Sequence, residues 1–373
     1  MQKIKLGKNK FVGDGQSCFI IAEVGSNHDG DFSRAKQLIE IAAEAKVDAV
    51  KFQLFSAKDL YPENCGEICL TSGKVDLFKS LKDMELPALW LKKLKKYAEK
   101  CGLEFICTPF SEQAAKMLYK SGTKIFKIAS PELSHLFLIK YLAKFNLPII
   151  MSTGISKLAD IEEAVETCKK NGNEKIALLH CVSAYPAPLA DCNLNVIKTL
   201  KMAFACPVGL SDHTMSPDLV PAIAVALGAN LIEKHFTISR KLKGLDHGFA
   251  LEPKELAQMV KTIRQLEQKE LPDRYPYIIS RYGKKMVNKI AGQHRKTISP
   301  SEELLYACDR RSLRVVKTIK KGGRVSENNI LALRSERNLT PGIHPRYWEL
   351  VLGKKVKRMV KAGSELAWEN LLG

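Results

Sequence analysis

An eight-stranded (β/α)8 barrel, α/β in class, followed by a small β-rich domain is the architecture this sequence predicts. Three observations lead there. Short apolar runs alternate with amphipathic segments from residue 18 to about residue 268. No run is followed by the GxGxxG fingerprint of an open dinucleotide-binding sheet. Beyond about residue 270 the alternation stops, and short β-like runs appear in a basic background. The expected divisions are a barrel over 1–270, a linker over 271–305 and a terminal domain over 306–373.

Taken in order, residues 1–17 suit a hairpin closing the barrel bottom, with GDG at 13–15 as its turn. The strands are expected at 18–25, 49–55, 104–110, 125–130, 148–154, 176–182, 207–213 and 231–237. Each is rich in Ile, Val, Leu or Phe without strict alternation, as strands buried on both faces are. The segment 32–45 places Ala35, Leu38, Ile39 and Ala42 on one helical stripe. Helices are also expected over 158–170 and 217–228, the latter with Pro217 in its first turn and Gly228 as its stop. Residues 56–86 are longer than an ordinary βα loop, and loops of that size are often functional. In the terminal domain, Gly322 and Gly323 mark a turn between short runs.

The 373 residues are 45% apolar and 27% charged, ordinary values for a globular protein with a sizeable core. No apolar run reaches the roughly 18 residues that span a bilayer, and the basic start lacks an apolar signal core. Ten cysteines without a CxxC pair point to free thiols in a reducing cytoplasm and against a structural zinc site. The net charge is +19, and residues 271–373 contribute 22 Lys/Arg against 9 Asp/Glu, or +13. A solvated surface is the leading reading of that excess, and attraction of anionic substrates comes second. Nucleic acid comes last, since no RNP, KH or zinc-finger pattern accompanies it.

In a barrel the strand C-terminal ends converge on one face, where active sites lie. Here those ends carry Glu23, Lys51, Gln53, Thr108, Lys127, Ser130 and Glu132, then Ser152, His180, Ser183, Tyr185, Ser211, His213, Glu233 and His235. Any one has an ordinary explanation, such as a snorkelling lysine or a hydrogen-bonded core histidine. Collectively they do not, because burying Lys51, Lys127 and Glu23 without partners would cost several kcal/mol. The lysines with their neighbouring hydroxyls suit a substrate bearing phosphate and carboxylate. His213 and His235 end adjacent strands, and two imidazoles with open positions suit Mn2+, Fe2+, Co2+ or Zn2+. Strand alternation turns Glu233 inward with His235 and sends Lys234 to the barrel exterior.

The motifs IAEVGSNHDGD (21–31), VKFQLF (50–55), CTPF (107–110), KIASPE (127–132), STG (152–154), LLHCVSAYPAP (178–188), GLSDHT (209–214) and EKHFT (233–237) occur in that order. With LDHGFALEPKEL (245–256) and the tail's RRSL and SENNI, they resemble the sialic acid synthase family, which joins phosphoenolpyruvate to an N-acyl hexosamine. The tail resembles that family's antifreeze-like (SAF, β-clip) domain.

The resemblance implies that His213 and His235 bind a divalent metal, Mn2+ foremost with Mg2+ or Co2+ as alternatives. It assigns phosphoenolpyruvate to Lys51, Thr108, Lys127, Ser130, Ser152, Ser183 and Ser211. It assigns the amino sugar to Gln53, Tyr185, Asp246 and Arg334. Glu23 and Glu132 are its candidates for handling water and stabilising positive charge, beside His235. The default product is N-acetylneuraminate from N-acetylmannosamine, with legionaminate-type and pseudaminate-type acids as alternatives. A domain-swapped homodimer is implied, each terminal domain capping its partner's barrel. One stretch departs from the family pattern: LRSERNLTPGIHP (333–345) is longer around Arg334, so Arg337 or His344 could add contacts, and no substrate contact is assigned to 56–86. The rival classes are a Schiff-base barrel aldolase using Lys51 or Lys127, and a glycan- or ice-binding protein using the tail.

Overall fold

A computed structural model describes residues 3–7, 10–70, 73–336 and 338–372, with the side chains of 69 and 70 left aside. Eight parallel strands close into a barrel in sequential order. They are Phe19–Gly25 (β1), Ala49–Leu54 (β2), Glu104–Pro109 (β3), Phe126–Ile128 (β4), Ile149–Ser152 (β5), Ile176–Cys181 (β6), Val208–Asp212 (β7) and Leu231–His235 (β8). All eight expected strands are present. Their continuous apolar runs follow from burial on two faces. Ile21, Ala49, Ile106, Ile150 and Ala177 fill the lumen, while Ile20, Val50, Phe105 and Met151 pack against the helices.

The helix Phe32–Glu44 shows why the pattern was readable. Asp31 caps it by accepting from the backbone N–H groups of Ser33 and Arg34, and Ala35, Leu38, Ile39 and Ala42 are its buried stripe. The helix expected over 217–228 spans Leu219–Ala226 with Asp218 as its N-cap. Pro217 therefore precedes the first turn, and Gly228 adopts a left-handed φ of 93° just past the end.

The N-terminal hairpin pairs Ile4–Lys5 with Phe11–Val12. Its connection runs through residues 6–10, where Leu6 N–H donates to the Lys10 carbonyl, and not through GDG at 13–15. That register is the one that turns Ile4, Leu6 and Val12 together into the barrel floor. GDG instead bends the chain into β1, with Gln16 N–H donating to the Gly13 carbonyl.

The segment read as a linker is largely helical. Leu271–Tyr282 and Lys284–Ala291 pack on the barrel, with Ile278, Val287, Ile290 and Ala291 in its core. Pro276 lies inside the first of these helices. The terminal domain pairs Ser312–Val315 with Ile330–Leu333 around a core that includes Leu313, Val325, Ile343, Val351 and Leu366. It sits on the mouth of its own barrel. Among the described residues no helix is long and apolar enough to cross a membrane.

Candidate functional site

The strand register assembles the site. Along β8, β1 and β2, His235 lies opposite Glu23 and Glu23 opposite Lys51. Ser211 of β7 lies opposite Glu233, and Gln53 opposite Thr108 of β3. Residues in register share a face, so all of these turn into the barrel. Lys234, one step out of phase, turns outward and is buried against the helical shell, paired with Asp212 at 2.7 Å.

Lys51, Gln53, Ser211, Glu233 and His235 line a cavity of about 340 Å3 at the strand C-terminal ends, and Glu23 and Thr108 stand behind them against Lys51. At its floor, Lys51 Nζ lies 2.9 Å from Glu23 and 3.6 Å from Glu233, and Lys127 Nζ lies 3.7 Å from Glu233. Lys127 also donates to Ser152 Oγ at 2.6 Å, and Lys51 to Thr108 Oγ1 at 3.3 Å. Gln53 donates to Glu23 at 2.8 Å, and Ser211 to Glu233 at 3.3 Å. The two ammoniums and two carboxylates offset each other's burial, which none could sustain alone.

Burial raises the pKa of Glu23 despite Lys51, with Glu233 adding to the rise. Burial works against charge on Lys51, but Glu23 and Glu233 outweigh it and hold that pKa high. Burial wins at Lys127 and lowers its pKa, whereas at Glu233 the two lysines win and hold the carboxylate ionised. The contacts at 3.6 and 3.7 Å are too long for hydrogen bonds, so both ammoniums keep protons for a ligand. Around them Glu23 Oε2, Glu233 Oε2, Ser183 Oγ and His235 Nδ1 are buried without hydrogen-bond partners. Glu233 and His235 line the cavity, and unpartnered buried atoms there mark a place built for a polar ligand.

Ser130 Oγ accepts from Gly154 N–H at 3.0 Å, and a Cβ at Gly154 would collide with Ser183 Oγ. This crowding packs the two serines beside Lys127. The loops carrying them are pinned from the far end of the chain. Glu302 accepts from Ile155 N–H at 2.7 Å and from Ser183 N–H at 2.8 Å.

The His213 and His235 rings face each other with centroids 5.6 Å apart. His213 Nδ1 lies 2.9 Å from the Val182 carbonyl, a bond that commits this nitrogen as donor and leaves Nε2 as the lone-pair nitrogen. Burial and the neighbouring His213 hold His235 neutral, the ligand form. Burial works against charge on His213, but Cys181 and the Val182 carbonyl outweigh it and raise that pKa. With both rings deprotonated, their free nitrogens beside carboxylates fit a divalent cation. Among the described residues no group of three or more His, Cys, Asp or Glu is placed to hold one. The rest of a coordination sphere would therefore be substrate and water oxygens, as in open catalytic sites.

Farther out, Tyr185 stacks on His213 at 4.4 Å and on Phe249 at 5.2 Å. Asp246 accepts from Ser26 N–H and Oγ at 3.2 and 3.0 Å. His247 secures the loop that carries it: Nδ1 meets Thr237 Oγ1 at 2.7 Å and Nε2 meets Asp29 at 3.1 Å.

Arg334 reaches the cavity from the terminal domain. It meets both oxygens of Glu132 at 2.9 Å and Asp309 at 3.5 Å. Arg311, fully buried, holds Glu132 as well at 2.9 Å. Glu132 therefore does not stand free at the cavity wall as expected of a group handling water; two guanidiniums occupy it, and it clamps the terminal domain to the barrel. His180 bonds the Cys192 carbonyl, away from the cavity. His344 lies against Arg310 and Arg346, also away from it. Arg337 lies outside the described residues.

Several wall residues carried no signal in the sequence. Tyr61 donates to Asp309 at 2.6 Å, and burial raises the Asp309 pKa to about 6. Leu60, Ile68, Leu77 and Leu81, all from the 56–86 segment, line the cavity. Only the tertiary pairing of hairpin Glu67–Leu70 with Gly73–Asp76 brings that segment over the mouth.

The NeuB family matches residues 38–271 of this chain, and the SAF domain matches residues 310–372. The spore coat polysaccharide biosynthesis protein SpsE of Bacillus subtilis is 41% identical over 367 residues, covering 98% of this chain and 96% of that protein. The N,N'-diacetyllegionaminic acid synthase of Campylobacter jejuni is 39% identical over 341 residues, covering 90% and 94%. The crystal structure of the Bacillus subtilis SpsE superposes with a TM-score of 0.85 at 38% identity, covering 100% of this chain and 99% of that one.

Proposed function

The chain belongs to the NeuB family, with a SAF domain at its C-terminal end, and from that premise we propose that it condenses phosphoenolpyruvate with an N-acyl amino-sugar aldehyde to give a 2-keto-3-deoxy sugar acid and phosphate. The observation that carries this reading is the buried pair Lys51 and Lys127, loosely held by Glu233 and flanked by hydroxyls, at the floor of the cavity that His213 and His235 face.

In this reading Lys51, Lys127, Ser130, Ser152, Ser183, Ser211 and, through Lys51, Thr108 hold the carboxylate and phosphate of phosphoenolpyruvate. Asp246, Tyr185, Gln53 and Arg334 orient the sugar with its aldehyde toward the two histidines. A divalent cation on His213 and His235, Mn2+ foremost, would supply Lewis acidity at the aldehyde oxygen. The phosphoenolpyruvate methylene carbon bonds to the aldehyde carbon, whose oxygen takes up a proton. The positive charge left on the enol carbon faces the carboxylates of Glu23 and Glu233. Water adds there, positioned by Glu23, whose raised pKa suits it to accept the proton. Phosphate then leaves with the bridging oxygen.

N-acetylmannosamine is the default acceptor of the sequence reading. The likeness to a diacetyllegionaminic acid synthase supports a di-N-acylated deoxy sugar instead. The test incubates the Mn2+-loaded protein with phosphoenolpyruvate labelled with 18O at the bridging position and a panel of amino sugars. Label in the released phosphate and a product of the condensed mass are expected. Label in the sugar acid would overturn the reading. The rival imine-forming aldolase draws support from the lowered pKa of Lys127; a borohydride-trapped adduct on that residue would favour it.

A further inference from the structure

A second cavity, of about 810 Å3, opens at the other end of the barrel, between the N-terminal hairpin and the feet of the strands. Lys124 stands two residues ahead of β4, Lys175 directly ahead of β6, and Glu104 is the first residue of β3. The hairpin adds Lys3, Lys5 and Lys10. Five lysines thus share this cavity with two carboxylates, Glu99 and Glu104. Lys10 is held by Asp48, and Glu99 by Lys95 at 2.6 Å. The ammoniums of Lys3, Lys5 and Lys124 have no partner among the described residues. Lys175 donates to the Asn146 carbonyl at 2.9 Å and keeps two further protons.

Like charges gathered around one hollow repel each other, and an anion with several charges relieves them together. The catalytic chemistry of a barrel sits at the opposite end, so the condensation does not account for these lysines. The cavity is also partly apolar. Ile4 and Val12 pair across the hairpin and turn into the barrel floor, so the neighbouring pair Lys5 and Phe11 turns outward. Phe11 is 43% exposed and lines the cavity, and Leu103 and Leu147 continue its apolar surface. A bare phenyl ring beside an ammonium matches a ligand that joins a flat ring to phosphates.

We propose that this basal cavity binds a nucleoside polyphosphate, with its phosphates among Lys3, Lys5, Lys124 and Lys175 and its base against Phe11. The site shares no lining residue with the catalytic cavity. It touches the feet of β3 and β4, whose other ends carry Thr108 and Lys127. A nucleotide held there joins the hairpin to three strands, and its binding adds to the stability of the folded barrel.

The experiment is isothermal titration calorimetry of the full-length protein in excess Mg2+ with ATP, tripolyphosphate and adenosine. Saturable binding of ATP is expected, about tenfold tighter than either of the other two, with a thermal midpoint that rises with ATP concentration. Lys124→Met and Lys175→Met, at exposed positions where substitution spares the fold, should each weaken ATP several-fold. Phe11→Ala should bring ATP to the affinity of tripolyphosphate, and Lys51→Met, on the catalytic floor, should leave ATP binding unchanged. Affinity lost in Lys51→Met but kept in the basal variants would put the nucleotide in the catalytic cavity and overturn the proposal. So would the absence of ATP binding, or adenosine bound as tightly as ATP. Equal affinity of the parent for ATP and tripolyphosphate would overturn the assignment of a nucleotide.

Discussion

Replacing Glu132 by Gln should loosen the terminal domain from the barrel mouth. The carboxylate is fully buried and holds Arg311 and Arg334, each at 2.9 Å. Gln keeps one acceptor oxygen and deletes the charge. Arg311 would then stay buried with at most that one neutral oxygen and the backbone carbonyls of Asp59, Ala332 and Phe110. Arg334 would keep Asp309 at 3.5 Å. Removing one member of a buried ionic group costs about 3–5 kcal/mol, because the remaining charge is stranded. Arg334's second partner argues for the lower end of that range. The assay is limited proteolysis with thermal unfolding followed by near-ultraviolet circular dichroism. Earlier cleavage between the barrel and the terminal domain is expected, with a lower midpoint and a raised acceptor KM. A variant matching the parent in proteolysis, midpoint and acceptor KM would refute the clamp.

Other outcomes follow from the same geometry. Asp309 has a folded pKa of about 6, above its ordinary 3.8. Its stabilising contribution is therefore present below the ordinary value and is lost as pH rises through about 6; Asp309→Asn should gain on the parent in thermal midpoint as pH rises from 3.8 to about 6, and a pH-independent difference would count against it. His213→Ala and His235→Ala should each weaken Mn2+ binding at least tenfold in a direct titration by electron paramagnetic resonance while circular dichroism stays that of the parent; unchanged binding removes that histidine from the ligand set. The contacts of Arg311 and Arg334 with Glu132 within one chain predict that chains carrying Lys51→Met and Arg334→Ala, each inactive, stay inactive when mixed and refolded together. Recovery toward a quarter of parental activity would show that the domains exchange between chains.

The barrel was legible because its signals are local. Two-faced burial writes itself into runs such as IALLHCV (176–182), and the alternation EKH (233–235) already separates inward Glu233 and His235 from outward Lys234. What escaped notice depends on contacts between distant segments. Glu132 read as a candidate for handling water because nothing near it in sequence announces Arg311 or Arg334. The 56–86 segment read as a long loop with no assigned contact, because only the folded hairpin shows which cavity Leu60, Ile68, Leu77 and Leu81 wall. The helices over 271–291 escaped notice because the stripe of Ile278, Val287 and Ile290 has meaning only against the barrel.

The carboxylate of Glu302 bears on where this molecule can be shortened. It follows the last barrel-packed helix, yet it ties down the backbone of Ile155 and Ser183 in two catalytic-face loops. An excised barrel ending near residue 291 would keep every strand and lose this tether, leaving two buried amides unanswered. The catalytic unit thus extends at least a turn past Glu302, and a cut before it should yield a folded shell with slack loops rather than a smaller enzyme.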